Sequence, residues 1–261
     1  MTLPSEAVTA LARALDLEYE RSRAVSDHAR GISRHCRSAM LKLGSAMLKL
    51  EDDDFKLAEA AMSGVPSELA APEGEVQLRS GTLSSAFENF ATLKTLRVFH
   101  GTGTFPALEA PFTDDEYVGG LLQAAQELAR HGTRSATVGN VTEVVRCRDI
   151  VDSLNGALLQ FEFRNGNLRR KYDGLKYALR RLVDILYVQS LIGNYIEMTS
   201  AEEEEERAPF LLSLEKIGAR FKEADEAREK VIKQSRDVQK CAKQAIFAAH
   251  RNFFYSKKER L

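Results

Sequence analysis

Asn165-Gly-Asn-Leu-Arg-Arg-Lys-Tyr-Asp-Gly-Leu-Lys-Tyr177 is the stretch on which the reading of this chain turns. Its Asn-Gly-Asn start is turn chemistry, because Gly and Asn tolerate backbone conformations that other residues avoid. From there Leu168, Tyr172, Leu175, Leu179, Leu182 and Leu186 recur at three- and four-residue steps. That spacing predicts an amphipathic helix from about Leu168 to Leu191 with these side chains on its inner stripe. Away from the stripe, Arg169, Lys176 and Arg180 lie at steps of seven and four, and Arg170 and Arg181 lie eleven apart. They form two adjacent basic stripes on one helix.

The same contrast extends outward. Residues 164 to 181 carry Arg164, Arg169, Arg170, Lys171, Lys176, Arg180 and Arg181 against Asp173 alone. Residues 51 to 128 carry fourteen Asp and Glu against Lys56, Arg79, Lys94 and Arg97. The net charge of −1 therefore conceals a segregated distribution. Charge segregated in this way attracts a polyanion even when the molecule is nearly neutral, so a nucleic acid is the expected partner class.

Helical periodicity continues on both sides. Leu11, Leu15, Ala24, Val25, Ile32, Cys36, Met40, Leu41 and Leu43 predict a long first helix between Ala10 and Leu50, with Pro4 and Ser5 where a helix starts. Gly64, Pro66, Pro72 and Gly74 mark a loop over 63 to 75, and a second helix is expected from about Val76 to Phe99. Gly101-Thr-Gly103 reads as a turn: no strand precedes it, no third glycine follows, and Pro106 interrupts any helix, so it is not a dinucleotide fingerprint. Thr113 followed by Asp114, Asp115 and Glu116 predicts a capped helix start with acids in its first turn, running to about Ala136. A further helix is expected near Glu143 to Phe163.

At 261 residues, 44% hydrophobic and 29% charged, the chain can bury a full core. No apolar run approaches the roughly 18 residues of a membrane span, and Met1 to Leu15 lacks the basic start and cleavage site of a leader. No membrane partner is expected, and the expected location is cytoplasmic, or also nuclear. Cys36, Cys147 and Cys241 are an odd number, far apart and without ligand spacing, and are read as free thiols.

The run 165 to 177 closely resembles the signature of the translin family. Upstream, Glu116-Tyr117 through Gly120 to Glu127-Leu128, then Ser135 to Asn140, is similar to the helix and turn that translin shares with its partner, translin-associated factor X. The resemblance runs from about Leu11 to Leu191, strongest from Asp114 onward. It implies an all-α fold, a single bundle of about seven helices. Residues 1 to 200 would form the translin-like domain, and 201 to 261 an acidic linker plus a basic amphipathic C-terminal helix. It also implies a homo- or hetero-oligomeric shell, an octamer, holding single-stranded RNA or DNA inside. With a translin-associated factor X-like subunit, such shells form a magnesium-dependent endoribonuclease of RNA silencing and transfer-RNA processing.

Which subunit this chain resembles turns on acids. Metal-assisted RNA cleavage needs carboxylates converging on a hard cation. The catalytic partner carries one acid pair three apart and another four apart, and these fall here on Glu88 with Ala91 and on Gln123 with Glu127. Glu88 and Glu127 are thus the catalytic or metal-binding candidates, too few for a site unless Asp or Glu from elsewhere completes it, and magnesium is expected only if a nuclease reading holds. The resemblance points to the binding subunit, with Arg164, Arg169, Arg170, Lys171, Lys176, Arg180 and Arg181 as the nucleic-acid face. Arg79 is all that remains of the basic patch that translin carries on its second helix. A shell subunit with a purely structural role is the third reading. The tail adds a loose likeness between 30–41 and 236–247, the mark of two similar amphipathic helices or of a repeat.

Overall fold

The computed structural model describes residues 5–45, 52–66, 81–193 and 201–258, and every regular element among them is an α-helix. There are seven: α1 (Ser5–Ser45), α2 (Asp52–Ser63), α3 (Thr82–Thr102), α4 (Asp114–Thr137), α5 (Val141–Leu158), α6 (Asn167–Leu191) and α7 (Ala201–Lys258). The all-α class expected from the periodicity holds. The chain divides into two compact units, Met1–Glu215 and Lys216–Leu261. The boundary expected at 200/201 falls at the edge of the residues outside the described set.

In the first unit α4 is the central helix, packed against α3, α5 and α6. Its ends are set locally. The Thr113 side chain accepts from the Glu116 backbone N–H while the Glu116 carboxylate accepts from the Thr113 N–H, a capping box that satisfies two backbone donors at once. Glycines then let its neighbours close in. A methyl group at Gly120 would lie 2.6 Å from the Ala91 Cβ of α3, and one at Gly132 would lie 2.5 Å from Leu182 of α6. Helix α3 stops where the turn was expected, on a left-handed Gly103 whose N–H reaches Phe99 O at 2.7 Å.

A second core layer joins α1, α2 and α3. Val25, Ala29, Ile32 and Cys36 of α1 meet Phe55 and Met62 of α2 and Phe87 and Phe90 of α3. Two expectations need correction here. Residues 52–63 form a separate helix that the sequence reading did not assign. Leu11, Leu15 and Leu41, expected on the inner face of α1, are more than half exposed; Leu11 and Leu15 lie in a first half of α1 that is exposed throughout residues 9–24. The start expected at Val76 for the next helix lies outside the described residues. Helix α5 ends at Leu158 rather than near Phe163. The start of α7 contributes to this first unit: Phe210 packs edge-on to Phe105 at 5.5 Å, and Ser213 Oγ accepts from the Leu108 N–H. In the second unit α7 continues alone, and Val231, Val238, Ile246 and Phe247 are exposed along it. No described helix is long and apolar enough to cross a membrane.

Candidate nucleic-acid interface

Helix α6 is seated by Tyr172, Leu175, Ala178 and Leu182, all buried. Leu168, Leu179 and Leu186, expected on the same stripe, are half-buried. At 100° per residue the buried set fixes the opposite arc as the outward one. On that arc lie Arg169, Arg170, Lys176, Arg180 and Arg181, and Arg164 is exposed in the turn before the helix. Arg169 pairs with Asp173 at 3.5 Å within the helix. Lys176 sits over the Tyr172 ring at 4.7 Å, which leaves its ammonium at the surface. Tyr172 itself is core, whereas Tyr177 is 75% exposed among the cations.

Lys171 stands apart from this set. Its side chain is only 20% exposed and forms an ion pair with Glu88 of α3, itself 12% exposed. Burial holds the Lys171 ammonium below the usual lysine range. The charge of Lys171 is thus used to join α3 to α6, not to face solvent. Arg79 lies outside the described residues.

Beside the basic arc, a cleft of about 600 Å³ runs between the end of α4 and α6. Thr133 and Thr137 form one wall; Tyr177, Arg180, Arg181, Asp184 and Val188 form the other. Beyond it the outward arc of α6 changes character: Val183, Tyr187, Val188 and Leu191 are all about half or more exposed.

The comparisons agree with this fold. The model of the translin family matches residues 73–193, the span from before α3 through α6. Translin of Gallus gallus is 32% identical over 85 residues, covering 33% of this chain and 37% of its own. Translin of Homo sapiens is 29% identical over 87 residues, 33% of this chain and 38% of its own. Through this segment the chain is similar to the translin family. The match spans little more than a third of those relatives. Among solved structures, a chain of apo-NeC3PO superposes with a TM-score of 0.60 at 19% identity, covering 71% of this chain and 97% of that one. A chain of the AfC3PO–duplex RNA complex gives 0.62 at 15%, covering 73% and 100%. At that identity they establish the shared translin-like fold.

The two acidic candidates lie on α3 and α4. Glu88 presses against Gly119, where an added methyl would lie 2.8 Å from its carboxyl carbon, and it is neutralised by Lys171. Glu127 is paired with Arg130 one turn on. Ala91 is 3% exposed and packed on Gly120, so no carboxylate fits there, and Gln123 is an amide. The residues present do not fit a magnesium site of the kind the family resemblance implied.

One cluster escaped the sequence reading. His131 of α4, Glu143 and Cys147 of α5 bring their ligand atoms within 4.8 Å of one another, with His100 of α3 alongside. Glu143 and Cys147 are four residues apart on one helical face, but the histidines arrive from two other helices, so no motif announces the group.

Proposed function

We propose that this chain is a non-catalytic, nucleic-acid-binding subunit of a translin-type oligomer. The carrying observation is the outward arc of α6, where five cations lie between Arg169 and Arg181, with Asp173 among them and Asp184 just beyond. Arg170, Lys176, Arg180 and Arg181 have no carboxylate partner among the described residues, so their charge is available to phosphates. Tyr177, exposed between Lys176 and Arg180, offers a flat face for a base. This is the pattern required to track a single strand without reading its sequence: a positive groove for the backbone and an aromatic platform for the bases. The translin-family segment contains the whole of this helix, which supports carrying the family's ligand class over. The pairing of Glu88 and Glu127 with basic side chains favours the binding role over cleavage.

In this reading the apolar second half of α6 and the exposed leucines of α1 face other subunits of the shell, which includes a translin-associated factor X-like chain where RNA is cut. The test is titration of labelled single-stranded RNA into the full chain at several salt concentrations. Binding whose logarithm falls linearly with the logarithm of salt is expected. Absence of binding at low salt, both alone and with such a partner, overturns the proposal.

A further inference from the structure

We propose that His131, Glu143 and Cys147, with His100 drawn in from α3 as the fourth ligand, form a site for a structural divalent cation of zinc type, tying α3, α4 and α5 together. The four supply two imidazoles, a carboxylate and a thiol, the donor types that zinc takes in tetrahedral sites. Their placement is convergent. His131 Nε2 lies 3.3 Å from Glu143 Oε1, and the ligand atoms of His131, Glu143 and Cys147 fall within one 4.8 Å group. The His100 ring stands edge-on to the His131 ring at 5.8 Å.

Two features of the site are poorly explained as packing alone. Both ring nitrogens of His100 are buried, and neither has a hydrogen-bond partner among the described residues. Glu143 Oε1 is likewise buried, and the His131 Nε2 that lies 3.3 Å from it also lies 3.3 Å from Ser135 Oγ. Unpaired buried polar atoms are costly, and a cation satisfies them together. The charges also balance, since one carboxylate and one thiolate cancel a divalent ion and leave a neutral core. Binding then replaces the thiol proton: Cys147–SH and M²⁺ give Cys147–S–M⁺ and one released proton. Arg146, which reaches Glu143 at 3.6 Å and donates to Phe99 O at 3.0 Å, has a side chain 34% exposed and retains the Phe99 contact when Glu143 turns to the ion.

Cobalt(II) is the probe. The full chain, stripped by chelator, is titrated with Co²⁺, followed by absorption and by proton release in weak buffer. The expected result is one tightly bound cobalt per chain with a thiolate-to-cobalt charge-transfer band, tetrahedral visible bands and one proton released. The band is lost in Cys147→Ser and kept in Cys241→Ser. His131→Gln, His100→Phe and Glu143→Gln each weaken affinity at least tenfold, and zinc displaces the cobalt. Glu143→Gln preserves shape, so it keeps the test valid should Cys147→Ser fail to fold. No thiolate band in the native chain overturns the site, as does affinity unchanged in Glu143→Gln. An unchanged spectrum and affinity in His100→Phe overturns the four-ligand assignment.

Discussion

The two halves of α6 share one inner face and differ completely on the outer one. From Arg169 to Arg181 the outward arc is cationic; from Val183 to Leu191 it is mostly apolar, with Tyr187, Val188 and Leu191 more than half exposed and Asp184 the one charged residue. The inner face is the same seam throughout, Tyr172 and Leu175 in the first half and Leu182 in the second. The fold therefore depends on one side of this helix, and the other side is free to carry two different tasks in sequence. A cationic surface stays hydrated until a polyanion displaces its counterions, whereas an exposed apolar surface gains by meeting another apolar surface.

The sharpest way to break this contrast is Arg180→Glu with Arg181→Glu. Single-stranded RNA affinity should collapse at physiological salt, with the salt slope shallower by roughly 0.7 per lost phosphate contact, while helical content stays the same. A binding isotherm that matches the native chain would remove the first half from the interface. Next in size is Val188→Asp with Leu191→Asp, which places charge on the apolar half. Native mass spectrometry should then find smaller assemblies built from folded chains; an unchanged mass would show that this half faces solvent.

Lys171→Met separates inward from outward charge on the same helix. It leaves Glu88 unpaired and half-buried, so stability to urea should fall by about 1–3 kcal/mol, with RNA affinity at low salt unchanged. The reverse outcome, intact stability and weakened binding, would move Lys171 to the nucleic-acid face. Smallest is Tyr177→Ala, at the junction between the halves. Losing one stacked base should weaken RNA binding by about 1 kcal/mol, roughly fivefold, without altering the salt slope.

Much of this was legible in the sequence, for physical reasons that also mark where legibility stopped. Thr113 with Glu116 announced the α4 start because capping is local chemistry within four residues. Tyr172, Leu175 and Leu182 declared the inner face of α6 because a 3.6-residue period is a geometric necessity. Periodicity could not say what an apolar stripe faces: Leu11 and Leu15 of α1 have the spacing of core residues and lie exposed. Nor could it tell Lys171 from Arg170, since the partner that turns Lys171 inward, Glu88, is 83 positions away on another helix. The histidine, carboxylate and thiol cluster was invisible for the same reason.

The contact between Gly120 and Ala91 has a consequence for what this chain can become. With 2.6 Å available to a methyl at 120 and Ala91 already sealed, α3 and α4 touch too closely at this point to admit a longer side chain on either. Acquiring a carboxylate at 91 is therefore not one mutational step but several, the first of which must open the helix pair and weaken the core before any chemistry is gained. A longer side chain at either position would have to pass through a less stable protein.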